Sequence, residues 1–262
     1  MLPTKELLEM RYFIEIAYKG TNFHGWQIQP NANTIQQELQ TALKTLFHLP
    51  IEVVSAGRTD AGVHALQLFA HFDLHKKIDT DSIAYRLNAL LPKTIVVKNI
   101  FPVQEQAHAR FDAISRSYKY QISLVHNPFT LDTSWQITHK KIDVDLMNKA
   151  AGMLLVHSNF KSFSKTKTDV KTYNCTITTA QWIQKQNELN FYITADRFLR
   201  NMVRAIVGTL LDVGLKKITV ADFEKIILSQ DRSKAGLSVP AKGLFLTEVN
   251  YPNSLFNPSQ DA

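Results

Sequence analysis

The sequence has little cysteine, no long apolar run and no recognisable leader segment. The single cysteine, Cys175, excludes an internal disulfide and any metal cage built from cysteines. No apolar stretch is long enough to cross a bilayer as a helix. Residues 1–10 carry Lys5, Glu6 and Glu9 and lack the apolar core of a secretory signal, which predicts a protein of the cytoplasm.

Several catalytic motifs are also missing. No glycine-rich loop is followed by Lys-Ser or Lys-Thr, and no serine, cysteine or histidine stands in a pattern for acyl transfer. The histidines lack the spacing of a helical zinc pair. His71 and His75 end a predicted strand, where four residues span roughly 13 Å. We therefore predict neither a metal nor a cofactor.

Charge is the first positive feature. The 262 residues include 30 Lys and Arg against 23 Asp and Glu, a formal net charge of +7. Because these cations are dispersed along the chain, they predict a charged groove on a folded surface that binds nucleic acid. The alternative is a basic surface that serves only solubility.

The order of predicted elements indicates an α+β fold made of two ferredoxin-like, split βαβ halves. Their antiparallel sheets are expected to form one continuous basic cleft. The predicted strands are 11–18, 51–55, 66–74, 94–100, 117–124, 171–183, 188–194 and 244–250; the predicted helices are 35–47, 81–90, 143–155, 198–213 and 220–229. The expected domains are residues 1–105, residues 106–252 and a loose tail at 253–262.

The most informative segment is residues 56–65, in which Asp60 lies between Gly57 and Gly62 and is flanked by Arg58 and His64. Glycines permit a tight turn and close approach of a ligand. A neighbouring arginine favours an ionised carboxylate that can act as a nucleophile or base. The alternative is a polar turn between two strands.

Two other segments combine cations with apolar or aromatic residues. A predicted helix from about residue 197 places Arg197, Arg200 and Arg204 along one edge of its apolar stripe, where they can bind a carboxylate or a phosphate. In residues 107–120, Arg110 is a candidate for substrate binding. Tyr118 shares one face of a strand with Tyr120 and is suited to stacking on a base. The alternatives are a solvated basic edge and simple packing.

Five motifs together resemble the bacterial tRNA pseudouridine synthases of the TruA type, and the resemblance runs nearly from end to end. They are Tyr18-Lys19-Gly20 with Gly25-Trp26-Gln27 and Thr34-Ile35-Gln36; Gly57-Arg58-Thr59-Asp60-Ala61-Gly62-Val63-His64-Ala65; Ala109-Arg110-Phe111 with Arg116-Ser117-Tyr118; Phe198-Leu199-Arg200-Asn201-Met202-Val203-Arg204; and Gly243-Leu244 with Tyr251-Pro252. One departure is Gly236-Leu237-Ser238-Val239-Pro240, where the family commonly has a run like Thr-Ala-Pro-Ala.

The resemblance implies an isomerase that converts uridine to pseudouridine in the anticodon stem-loop of tRNA, at uridines 38, 39 and 40. It implies a homodimer and no cofactor. It also implies a role for each of five residues: Asp60 as nucleophile, Arg204 as the partner of Asp60, Tyr118 against the target base, Leu244 near the uracil and Arg58 on the RNA.

The sequence leaves three routes open for Asp60: attack at C1′ of the ribose, addition at C6 of the uracil, and removal of the C2′ proton. Two other classes of protein also remain as alternatives. A noncatalytic RNA-binding protein would use the basic surface without needing Asp60, and a metal-dependent nuclease would use the histidines.

Overall fold

The structure is a computed structural model, and it describes residues 10–166 and 170–256. The chain forms two compact units, Met1–Ile114 with Val249–Ala262, and Ser115–Glu248. The sequence placed the boundary between the halves at 105/106, whereas contacts place it at 114/115. Residues 249–256 belong to the first unit and not to the second.

The first unit is built on a strand order of β4-β1-β3-β2, and each of these pairs is antiparallel. Two helices follow the first and third strands. The elements are β1 (Met10–Tyr18), α1 (Ile35–Phe47), β2 (Val54–Ser55), β3 (His64–Leu74), α2 (Thr80–Leu90) and β4 (Ile95–Pro102). This order and connectivity confirm the ferredoxin-like prediction for the first half.

The second unit repeats the same strand order with longer connections. Its strands run β9-β5-β8-β7, with the short β6 added parallel to β5. The elements are β5 (Ser115–Ser123), β6 (Trp135–Gln136), α3 (Val144–Met153), β7 (Ile177–Lys185), β8 (Glu188–Ala195), α4 (Met202–Gly214), α5 (Val220–Ser229) and β9 (Leu244–Asn250). The predicted α+β class with two related halves is therefore confirmed.

Helix starts follow the local sequence rules. The Thr34 side chain accepts a hydrogen bond from Gln37 N–H at 3.4 Å and caps the start of α1. Thr219 and Asp222 form a reciprocal capping box at α5. Helix α4 is buried almost all round, which makes it the central helix of the second unit.

The predicted start of α4 was wrong. The helix begins at Met202, since Asn201 has φ 66°, a left-handed conformation that an α-helix cannot include. Arg197 and Arg200 therefore precede the helix, and only Arg204 lies on it. The single helical edge of three arginines does not exist.

Two strand boundaries also differ from the prediction. Strand β7 starts at Ile177, so Cys175 lies outside it, and β2 covers only Val54–Ser55. A single isolated bridge between Asn159 and Asn174 takes the place of the predicted early part of β7.

The packed part of the chain extends beyond the predicted start of the tail. Leu255 is buried, and the Phe256 ring contacts Phe13 edge-on with centroids 6.1 Å apart. Apolar side chains at these two positions explain the packing. Residues 257–262 of the predicted tail lie outside the described residues. No helix in the described ranges has the length and hydrophobicity needed to cross a membrane.

Candidate active site

The Asp60 loop, residues 56–63, connects β2 to β3 in the first unit. Ala56 N–H donates to Phe69 O at 2.8 Å at the start of the loop, and Val63 N–H donates to Asp60 O at 3.1 Å near its end. Gly62 has φ 78°, so the turn needs glycine there. The first bond thus attaches the loop to β3, and the second closes a turn within the loop.

Buried polar side chains form hydrogen bonds that hold the loop and its neighbouring backbone. The Tyr18 hydroxyl and Thr59 Oγ1 are 2.7 Å apart, and Gly20 N–H donates to His64 Nδ1 at 3.0 Å. His64 is only 1% exposed. The histidine of the motif thus acts as a hydrogen-bond acceptor that holds the Gly20 backbone close to Val63 at the end of the loop.

A second loop lies directly against the Asp60 loop. Trp26 N–H donates to Thr59 O at 3.1 Å, and Gly25 has φ 90°. A Cβ at Gly25 would lie 2.5 Å from Thr59 O, and one at Gly20 would lie 2.0 Å from Val63 O. These close approaches explain the glycines of the N-terminal motifs, whose structural role the sequence analysis missed.

The charged side chains of the Asp60 loop remain accessible. Arg58 is exposed and Asp60 is half-buried. The space beside Gly57 is open, since a Cβ there would have no heavy atom within 4 Å. A ligand can therefore approach the loop on this side, as a catalytic Asp60 would need.

In the second unit, β5 presents Tyr118 and Tyr120. The half-buried Tyr118 ring meets Phe198 edge-on, with centroids 5.1 Å apart. Tyr120 is fully buried, and its hydroxyl donates to Pro240 O at 2.8 Å. Burial raises the pKa of Tyr120, and the nearby Arg204 opposes this in part. Tyr120 is therefore a structural donor, while Tyr118 keeps accessible surface.

Arg204 lies in the first turn of α4 and is bound to the 236–240 loop. Its Nε donates to Val239 O at 2.7 Å, and Val239 N–H donates to Arg204 O at 3.2 Å. Leu244, the first residue of β9, is buried a few residues later. The segment that departs from the family pattern is thus the one that contacts the predicted catalytic arginine.

The sequence analysis missed Arg232, which donates hydrogen bonds to the same loop. Its Nη1 donates to Gly236 O at 3.1 Å, and its Nη2 donates to Ser238 Oγ at 3.0 Å. Close packing completes the attachment, since a Cβ at Gly208 would lie 1.9 Å from Leu237 O. No motif signalled Arg232, because its partners are mostly main-chain atoms.

The remaining candidates have separate locations. Arg110 is exposed in the first unit, and Arg116 Nη1 donates to Asp196 O at 2.8 Å in the second. Burial raises the pKa of the Cys175 thiol to about 11. Within residues 10–166 and 170–256, no three His, Cys, Asp or Glu side chains come together as metal ligands.

The protein thus has two ferredoxin-like units, and the first carries an accessible aspartate in a glycine-flanked loop. The family model described as tRNA pseudouridine synthase matches residues 15–112 and 150–252. The chain belongs to the tRNA pseudouridine synthase family. It is therefore an isomerase by class, as the sequence predicted.

Curated relatives match over nearly their whole length. A protein of Parabacteroides distasonis named tRNA pseudouridine synthase A is 51% identical over 252 residues, which cover 96% of this chain and 99% of the relative. The protein of that name from Bacteroides fragilis is 52% identical over 248 residues, covering 94% and 98%. The Bacillus licheniformis protein of that name is 41% identical, covering 93% and 100%.

Proposed function

We propose that this protein converts uridine to pseudouridine in the anticodon stem-loop of tRNA, at uridines 38, 39 and 40, with Asp60 as the nucleophile. One observation carries the proposal: Asp60 is half-buried in a loop that backbone and buried side chains hold fixed. A reacting carboxylate needs a defined position and access to substrate. The family and the curated relatives support the choice of tRNA.

The reaction needs one positioned carboxylate. The N1 to C1′ bond of uridine breaks, the freed uracil rotates, and a new bond forms from C5 to C1′ while C5 loses a proton and N1 gains one. Substrate and product are isomers, so no net oxidation occurs. Attack at C1′, addition at C6 and removal of the C2′ proton each require ionised Asp60.

The other candidates receive roles that match their chemistry. Tyr118 contacts the target base after it leaves its stack, Leu244 packs near the uracil, and Arg204 pairs with the Asp60 carboxylate during reaction. Arg58 and Arg110 are exposed cations and contact the phosphate backbone. The RNA would thus be held by charge and the base by an aromatic ring.

The first test is Asp60→Asn, assayed by tritium release from tRNA labelled at uridine C5, with a chelator present. We expect release to fall by at least about 10³-fold, since the substitution removes the negative charge of the reacting group. Binding of tRNA should stay within a few-fold. Retained release would remove Asp60 from the mechanism, and tight binding without release by the wild type would indicate a binding protein. RNA shortening that stops with chelator would instead indicate a nuclease.

The second test is a double-mutant cycle of Asp60→Asn and Arg204→Lys. If Arg204 acts through the carboxylate, Arg204→Lys should lower kcat more than tRNA affinity in the wild-type background. It should have little further effect on the residual activity of Asp60→Asn. An effect confined to affinity would make Arg204 a phosphate contact.

We also propose a homodimer that acts in the cytoplasm. Support comes from the resemblance to the family and from the choice of tRNA as substrate. Sedimentation equilibrium of the purified chain measures the assembly directly, and a species with the mass of one chain at micromolar concentration would contradict the dimer. Fractionation of the host cell tests the location.

A further inference from the structure

Phe111 exposes a large aromatic ring in the first unit. Its side chain is 74% exposed, although a phenylalanine ring is among the groups that folding most favours burying. The guanidinium carbon of Arg110 lies over this ring, 5.8 Å from its centroid. The His108 ring lies 4.2 Å away by centroids, tilted by 35°. Phe111 is therefore a largely exposed ring with a guanidinium over it and the His108 ring close by.

The backbone that carries this pair is fixed by hydrogen bonds at successive residues. Ala109 N–H donates to His71 Nδ1 at 3.1 Å, and Ala109 O accepts from the Tyr251 hydroxyl at 2.5 Å. Arg110 N–H donates to His108 Nδ1 at 3.1 Å, and His108 N–H donates to Asp112 Oδ2 at 2.7 Å. The segment is thus preorganised, so a ligand need not order it on binding.

His71, which accepts the hydrogen bond from Ala109, stays uncharged near neutral pH. Burial lowers the pKa of His71 to about 4, and the charges of Arg11 and His108 add to this effect, while Asp73 and Asp112 oppose it. Arg11 is in turn bound to Asp73 by two hydrogen bonds of 2.8 Å. The neutral imidazole therefore keeps accepting from Ala109 under ordinary conditions.

We propose that Arg110 and Phe111 form a stacking platform that binds one unpaired base of the RNA substrate and the phosphate beside it. Every base has a π-face that stacks on an aromatic ring, and an adjacent guanidinium matches the phosphate. The chain's net charge of +7 favours a polyanion over a neutral partner. The platform deepens the proposed function and rests on it, because it takes tRNA as the ligand and leaves the target base to Tyr118.

The test uses the full chain and an unmodified tRNA transcript, with Phe111→Ala, Phe111→Leu and Phe111→Trp compared by KM, kcat and direct binding. Loss of one stacked base should weaken tRNA affinity about 5- to 150-fold for both Ala and Leu, and Trp should restore it. The kcat at saturating tRNA should change less than KM. The matched control is Phe129→Ala, since Phe129 is 94% exposed and outside the segment.

A second readout reports stacking itself. The emission of Phe111→Trp, taken as the difference from wild type, should be quenched as tRNA is added, and that of Phe129→Trp should not. Arg110→Gln should weaken binding and reduce its salt dependence by about one phosphate contact.

If the wild type releases tritium and Phe111→Ala binds tRNA as tightly as the wild type, the platform alone is overturned. If the wild type releases no tritium, the proposed function is overturned. Leu behaving like Trp would show that the ring acts by apolar packing, not by stacking. A change of sedimentation with unchanged tRNA affinity would mean that Phe111 contacts a second copy of the chain, which also contradicts the platform.

Discussion

The two units differ in one class of contact that holds their functional loops. In the first unit, buried imidazoles accept from backbone N–H groups, as His64 does from Gly20 at 3.0 Å and His71 from Ala109 at 3.1 Å. In the second, Tyr120 and Arg204 donate to backbone carbonyls of the 236–240 loop at 2.8 and 2.7 Å. Protonation removes the ability of an imidazole nitrogen to accept a hydrogen bond. A phenol or a guanidinium that donates a hydrogen bond keeps its proton at acidic pH. The first unit should therefore be the acid-sensitive one.

The largest effect is expected from breaking the packing under the Asp60 loop with Gly25→Ala. An alanine at position 25 would have to adopt φ 90°, and its Cβ would lie 2.5 Å from Thr59 O. The two loops must therefore separate. Strain and overpacking together should lower the free energy of unfolding by about 3 kcal/mol. Displacement of Asp60 should lower turnover by about 10²-fold.

Urea unfolding and tritium release measure these two effects of Gly25→Ala. For stability, the matched control is Gly57→Ala, because a Cβ there meets nothing within 4 Å. It should stay within about 0.5 kcal/mol of the wild type. Equal stability of the two variants would show that the contact between the loops is dispensable.

The next effect concerns pH and His71. The folded chain has a His71 pKa of about 4 against an ordinary value of 6.5, so between these values the unfolded chain takes up a proton that the folded chain does not. This contribution to stability is complete above pH 6.5 and is lost as the pH falls toward 4. Between pH 7.5 and 5.0 the loss should be about 2 kcal/mol.

His71→Asn tests this expectation, because an asparagine oxygen can replace Nδ1 as the acceptor for Ala109 and does not titrate. The stability of the wild type relative to this variant should fall by about 2 kcal/mol from pH 7.5 to 5.0, as measured by urea unfolding at each pH. A constant difference would mean that His71 is not the acid-sensitive acceptor of the first unit.

The sequence predicted what depends on local pattern and composition. The ferredoxin-like order of both halves follows from alternating periodicities, and α5 begins at Val220 because Thr219 and Asp222 cap it. The glycine-flanked segment drew attention to Asp60, and the resemblance implied Arg204 as its partner. The start of α4 was missed, because the left-handed conformation of Asn201 depends on its tertiary setting.

The role of Arg232 was missed for a different reason. Its partners are the carbonyls of Ala235 and Gly236 and the hydroxyl of Ser238, and a backbone carbonyl has no sequence signature. The same holds for Val239, whose carbonyl accepts from Arg204. A side chain that donates to backbone carbonyls can be recognised only when the fold shows which backbone lies beside it.

The smallest effect, and the sharpest test of the contrast between the units, is Tyr120→Phe. The substitution keeps the buried ring and removes the hydroxyl that donates to Pro240 O. Losing that donor should lower the free energy of unfolding by about 1 kcal/mol. Because burial raises the Tyr120 pKa above its ordinary value of 10, the phenol stays protonated and the loss should be equal at pH 7.5 and 5.0. Tyr192→Phe, at a partly exposed tyrosine of β8, is the matched control and should change stability by less than about 0.5 kcal/mol. If the effect of Tyr120→Phe on stability varied with pH as the His71 contribution does, loops held by side-chain acceptors and by side-chain donors would not differ in acid sensitivity.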